Sequence, residues 1–303
     1  MNRPRVAHSG TPLRASVVAP VSGVRFVDAS ENLKISSTLY PKLPFYKYQG
    51  AGNDFILIDD RPATFPVLDK ALIARLCHRK FGIGADGLIL LQHCDIADFR
   101  MRIFNSDGSE PEGCLNGLRC LIRFLLDLGL PQKAYRIAMG DRIVDATALG
   151  DRIALHIGPP HSLSLHQKLG PWEVHSVDTG VPHAVIFVPD VEDIDLMREA
   201  PPLRHHPIFA PRGANVNFAA LQPDGIHVRT FERGVEGETL ACGTGAAAVA
   251  VIAAEVYSIP TPITLCFTGG TIEVTLDSSG ISLIGEARKI FDGSFEFPQE
   301  TMV

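Results

Sequence analysis

Gly237-Glu-Thr-Leu-Ala-Cys242-Gly-Thr-Gly-Ala-Ala-Ala248 decides the reading of this chain, because it puts a thiol where a polar turn gives way to a helix. A long run of small apolar residues follows, and Pro260 lies beyond Tyr257. A strand-like alternation precedes it, Ile226-His-Val-Arg-Thr-Phe231. The same grammar occurs earlier. Arg100-Met-Arg-Ile-Phe104 leads into the polar loop Asn105-Ser-Asp-Gly-Ser-Glu-Pro-Glu-Gly113, then Cys114-Leu-Asn-Gly117 and an apolar helix that stops near Gly129 and Pro131. The two cysteines are 128 positions apart, and the turns Gly50-Ala-Gly-Asn53 and Gly180-Val-Pro-His183, each entering an apolar strand, are 130 apart.

Two nearly equal offsets predict a duplicated chain. The expected fold is α/β of the α+β type, with two pseudo-symmetric domains. Each is a curved, mostly antiparallel sheet wrapped around a central apolar helix that carries a cysteine at its N-terminus. Helices apolar on nearly every side are buried on every side. The expected domains are 44–158 with 287–303, and 159–286. Residues 1–43, with four arginines, several serines and few acids, read as a leader: a transit peptide, a disordered extension or a mis-assigned start.

Bulk properties narrow the function. In a chain of 303 residues, 46% hydrophobic and 20% charged, there is ample material for a core. A formal net charge of −6, with no basic cluster interleaved with aromatics, argues against nucleic acid as partner. No apolar run reaches the roughly 20 residues of a membrane span. The six cysteines form no Cys-x-x-Cys pair and are too sparse for a disulfide scaffold, so reduced thiols and a cytoplasmic location are expected, with a plastid if the leader is a transit peptide. No metal site is expected. Cys77, Cys94, Cys120 and Cys266 read as structural thiols.

A cysteine at a helix N-terminus faces free backbone N–H groups and the positive end of the helix dipole, which lower its pKa from about 8.5. The same N–H groups hold anions such as a substrate carboxylate. Two such turns facing one another could therefore hold a carboxylate between them and flank its α-carbon with two thiols. One removes a proton as thiolate, and the other delivers a proton to the opposite face.

The sequence is similar to the diaminopimelate epimerase family from about Phe45 to the C-terminus. Eight motifs in family order carry the resemblance: Lys47–Phe55, Gly82–Gly87, Met101–Glu110, Asn116–Cys120, Pro182-His183, Asn215–Phe218, Glu232–Gly234 and Ala241–Gly245. It implies a cofactor-independent amino-acid epimerase, commonly a homodimer, that interconverts LL- and meso-diaminopimelate for lysine and peptidoglycan synthesis. Cys114 and Cys242 would be the acid–base pair. The N–H groups of Leu115, Asn116, Gly243 and Thr244 would hold the reacting carboxylate, and Asn53 and the Asn116 side chain would fix that end. Asn105, Asn215, Glu232 and Arg233 would recognise the distal amino-acid group, and His183 would lie beside the thiols and tune them. Three departures from the family pattern bear on the substrate: Leu115 for glycine, Val181 for asparagine, and the inserted Glu236. The alternatives are a racemase of another amino acid, such as histidine, a Cys–His hydrolase, or a non-catalytic carboxylate-binding relative.

Overall fold

The computed structural model of the protein describes residues 42–296. The first run of strands is β1 (Lys42–Gly50), β2 (Asn53–Asp59), β3 (Gly87–Gln92), β4 (Phe99–Asn105), β5 (Ala134–Met139), β6 (Arg142–Leu149) and β7 (Arg152–Gly158). Helix α1 (Lys70–Cys77) lies between β2 and β3, and α2 (Leu115–Asp127) between β4 and β5. The second run is β8 (His161–Leu169), β9 (Trp172–Asp178), β10 (Pro182–Phe187), β11 (Asn215–Gln222), β12 (Gly225–Glu232), the short β13 (Gly237–Thr239), β14 (Ile263–Phe267), β15 (Gly270–Asp277) and β16 (Gly280–Glu286). It contains α3 (Leu196–Arg204) after β10 and α4 (Gly243–Tyr257) before β14, and β17 (Arg288–Glu296) ends the described chain.

The duplication can be followed strand by strand. One half is ordered β17-β1-β2-β3-β4-β5-β6-β7. The other is ordered β8-β9-β10-β11-β12-β14-β15-β16. Parallel pairings fall at the same two steps of each half, β2·β3 and β4·β5 against β10·β11 and β12·β14. Those are the steps crossed by a helix, as parallel neighbours require. The other pairings are antiparallel, and β7 pairs antiparallel with β16 to join the halves. After β7 the chain crosses to pair β8 with β9, and after β16 it returns to pair β17 with β1.

Both central helices share one core. Leu118, Leu121, Ile122 and Leu125 of α2 and Ala246–Ala250 of α4 are fully buried in it. Each buried leucine contributes roughly 1.5–3 kcal/mol, so tertiary packing stabilises α2 more than intrinsic helix propensity does. The outer faces are covered separately, by α1 with Phe65 and by α3 with Val191. Helix α2 stops where expected: Gly129 has φ 75°, its N–H reaches Leu126 O, and the Leu130 N–H reaches Leu125 O. Helix α4 instead stops at Ser258, which takes the left-handed conformation at φ 54° before Pro260 is reached.

The leader expectation falls largely on residues 1–41, outside the described residues. At its end it needs one correction. β1 already begins at Lys42, and Leu43 is buried against the outer core beneath α1.

Candidate active site

Cys114 and Cys242 are the N-caps of α2 and α4, with matching extended backbones at φ −148°, ψ 120° and φ −123°, ψ 114°. Each sulfur accepts the N–H three residues on, Gly117 N and Gly245 N, at 3.4 Å in both cases. The helix ladders begin with Leu118 N to Cys114 O and Ala246 N to Cys242 O. That leaves the N–H groups of Leu115, Asn116, Gly243 and Thr244 outside the helical bonding pattern. The two helix starts abut: a Cβ built on Gly243 would lie 3.1 Å from the Leu115 side chain. Across the same junction Asn116 Nδ2 donates to Ala241 O at 3.1 Å.

Around Cys114, Asn53 Oδ1 lies 3.6 Å from the sulfur. A tight turn, with Ala51 at φ 53° and Gly52 at φ 81°, delivers Asn53 to that point. Its Nδ2 donates to Asp86 at 2.7 Å, and Arg79 ties Asp86 to Asp54. Around Cys242, the Thr244 hydroxyl is 3.5 Å from the sulfur. Beneath them lies a buried polar layer. Asn217 contacts His183 Nδ1 at 3.1 Å and donates to Ala184 O, while its Oδ1 accepts from the Thr230 hydroxyl. Asn215 lies 3.4 Å from His183 Nε2 and accepts the Arg233 backbone N–H at 2.7 Å.

Glu232 and Arg233 are half-buried and neither forms an ion pair among the described residues. An unpaired carboxylate and guanidinium can hydrogen-bond an ammonium and a carboxylate respectively. Glu236 braces their loop: it takes φ 54°, pairs with Arg204 at 2.8 Å and His205 at 3.5 Å, and donates its N–H to Glu232 O.

Three expectations need correction. The first is the sign of the thiol shift. Burial pushes Cys114 up to about 11 and Cys242 up to about 12, and the nearby Glu232 carboxylate raises both further. The N–H groups and Thr244 oppose this without overcoming it, so both thiols are neutral at rest. Second, both ends of the Asn116 amide have protein partners, Ala241 O and Arg119, so its side chain is a strut between the halves. Third, His183 makes no hydrogen bond to either thiol. It is fully buried, and burial with the Arg233 charge lowers it to about 3. Asn105 is exposed at the end of β4, where its Nδ2 donates to Ser109 Oγ at 2.9 Å.

Gly245 shows how closely the polar layer underlies the thiol. A Cβ there would sit 2.5 Å from Asn217 Oδ1 and 3.3 Å from Cys242 Sγ. Gly245→Ala therefore displaces Asn217 or the first turn of α4, and a 1 Å misplacement costs on the order of 10²-fold in kcat/KM. Turnover within a factor of about three of wild type would show that the layer tolerates the methyl group.

The diaminopimelate epimerase family model matches residues 45–162 and 175–290, which include both cysteine turns. The chain belongs to the diaminopimelate epimerase family. Relatives of that name agree. One from Synechococcus sp. (strain JA-2-3B'a(2-13)) is 40% identical over 282 residues, covering 84% of this chain and 98% of the relative. One from Methanocella arvoryzae is 38% identical over 275 residues, covering 84% of this chain and 97% of the relative. Among solved structures, a Bacillus anthracis phenazine biosynthesis protein of the PhzF family superposes with a TM-score of 0.68 at 15% identity, covering 84% of this chain and 99% of that one. A hydroxyproline epimerase from Agrobacterium vitis gives a TM-score of 0.59 at 14% identity, covering 86% and 94%. These two likenesses support the fold: two sheet-wrapped helices in pseudo-symmetric halves.

Within this family frame, three residues of the site escaped the sequence reading. Asn217 lies two residues after Asn215 on one strand, so strand periodicity alone puts both on one face. Asp86 sits inside the Gly82–Gly87 motif. Arg119 is a charged residue on a helix otherwise apolar, which was the available signal.

Proposed function

We propose that the protein interconverts LL- and meso-diaminopimelate by moving the α-proton between Cys114 and Cys242, without a cofactor. The observation that carries this reading is the pair of free cysteines capping two abutting helices, whose first N–H groups lie outside the helical bonding pattern. A substrate carboxylate held by the N–H groups of Leu115, Asn116, Gly243 and Thr244 sits with its α-carbon between the sulfurs. One sulfur, as thiolate, takes the α-proton. The electron pair moves into the carboxylate as an enediolate, where those N–H groups and both helix dipoles stabilise it. The other thiol delivers its proton to the opposite face, so configuration inverts and the two sulfurs have exchanged roles. Asn53 steadies Cys114. Glu232 and Arg233 recognise the ammonium and carboxylate of the distal group, with Asn215 fixing the Arg233 backbone.

The expected division is 44–158 with 287–303, and 159–286; within the described residues the strand ladder supports it with the first half beginning at Lys42 and closing with β17 to Glu296. A homodimer, a place in lysine biosynthesis and a cytoplasmic or plastid location belong to the same proposal. No helix among the described residues is long and apolar enough to cross a membrane. A Cys–His hydrolase has no support, because His183 is buried away from both thiols.

The experiment is incubation of the reduced protein with LL-diaminopimelate in D2O without pyridoxal phosphate. Deuterium is expected at the α-carbon of newly formed meso product. Neither exchange nor inversion with this substrate, but both with another amino acid, would transfer the proposal to a different racemase.

A further inference from the structure

Arg119 is a fully buried guanidinium with no carboxylate partner among the described residues. It lies one turn into α2 behind Cys114, and Nη2 donates to Asn116 Oδ1 at 2.8 Å. Nε reaches the Glu286 carbonyl at 3.4 Å, and Nη1 has no hydrogen-bond partner. The side chain lies against β16 of the other half, where a Cβ on Gly285 would be 3.0 Å from Nε. A guanidinium does not give up its proton in proteins, and burying one unpaired costs several kcal/mol. An apolar residue would serve packing better. The groups close enough to exchange charge with it are thiols, Cys114 and Cys120.

We propose that Arg119 is a positioning residue whose uncompensated positive charge favours the Cys114 thiolate and which, through Asn116, sets the spacing of the two thiols. This inference rests on the two-thiol reading above. The charges facing Cys114 are Arg119 from α2 and Glu232 from β12, with opposite effects. Glu232 and Cys114 face Cys242, and Cys120 sees Arg119, Cys114 and Asp54. At rest the site thus holds a buried cation awaiting an anion. Substrate carboxylate and thiolate supply it, so part of the cost of burying the guanidinium is relieved as the reactive state forms. The mechanical role is separate: Arg119 Nη2 to Asn116 Oδ1, then Asn116 Nδ2 to Ala241 O, links α2 to the residue before Cys242.

The test is alkylation of the ligand-free full chain with iodoacetamide, followed at the Cys114 peptide by mass spectrometry across the alkaline range. In Arg119→Met the Cys114 midpoint is expected to rise by about one pH unit. Partly offset by the higher intrinsic nucleophilicity of a more basic thiolate, this gives roughly three- to tenfold slower alkylation below the midpoint. Arg119→Lys keeps the charge and loses the planar fork, so its midpoint is expected to stay near wild type while kcat falls. An unchanged midpoint in Arg119→Met, or an equal rise in both variants, overturns the electrostatic role. If Arg119→Met does not fold, a rise in Arg119→Lys alone is sufficient to overturn it. Alkylation needs no substrate, so failure of the epimerase assay and failure of this inference are separately visible.

Discussion

Cys114→Ala and Cys242→Ala each abolish epimerisation, with a loss of at least about 10²–10⁴-fold, the range a positioned acid or base contributes. Neither variant is expected to unfold. The lost cap is a single long N–H···S contact of 3.4 Å in each helix, below the usual value of an oxygen cap at about 1 kcal/mol. The two losses are mechanistically distinct. A variant with one thiol can still remove the α-proton from the isomer that faces it and return deuterium to the same side. Cys242→Ala is therefore expected to wash deuterium into one stereoisomer without inverting it, and Cys114→Ala into the other. NMR of the recovered substrate in D2O reads both quantities at once. Full epimerisation by either variant would end the two-base mechanism. Exchange of both stereoisomers by one thiol would show that the substrate can turn over within the site.

The second large effect is on stability in acid, and His183 is its source. Its ring is fully buried, and the Asn217 amide that meets Nδ1 is oriented by Ala184 O and the Thr230 hydroxyl to present N–H groups. An imidazolium there would be stripped of solvent and set beside the Arg233 guanidinium, so burial first and that charge second lower the folded value to about 3. The unfolded chain binds the proton near 6.5. Stability from the neutral ring is thus complete above 6.5 and is lost as pH falls below it, by about 1.4 kcal/mol per unit and roughly 4–5 kcal/mol by about pH 3. That is a large share of a typical folding free energy. Salt-bridged carboxylates such as Asp54 and Glu110 act in the same direction, but only below the ordinary carboxylate range. Between roughly pH 6.5 and 5 the falling slope belongs to buried histidines, His183 and to a lesser degree His175, whose value burial also lowers, and it is opposed by Glu232, whose carboxyl burial raises. Urea unfolding across that window is expected to show the slope in wild type and in His175→Gln, and to lose most of it in His183→Gln. The same slope in His183→Gln as in wild type would assign it elsewhere.

What could be read in advance follows the range of each interaction. The duplication, the two cysteine turns and the central helices are written in local signals: alternation into Phe104 and Phe231, cap positions, and stops at Gly129 and near Pro260. Those signals survived almost intact. The sign of the thiol shift did not, because a helix start is visible in sequence while the burial that outweighs it is assembled from both halves. Asn116 was misjudged for the same reason. Its partner is Ala241, 125 residues away, and no local pattern announces that bond. The role given to His183 came from the family resemblance, whereas its protonation state is set by burial and by the Arg233 charge.

The crossing of β8 and β17 between the halves has a consequence for how the molecule comes apart. Each half is incomplete without a strand that the chain supplies from beyond the other half's last hairpin. Freeing either sheet of its borrowed edge also pulls on the β7·β16 seam beside the two helix starts. Opening of one half is therefore coupled to the other. A linker between two self-sufficient lobes would let them drift by ångströms; interlaced edges make the gap between the thiols a property of the entire fold.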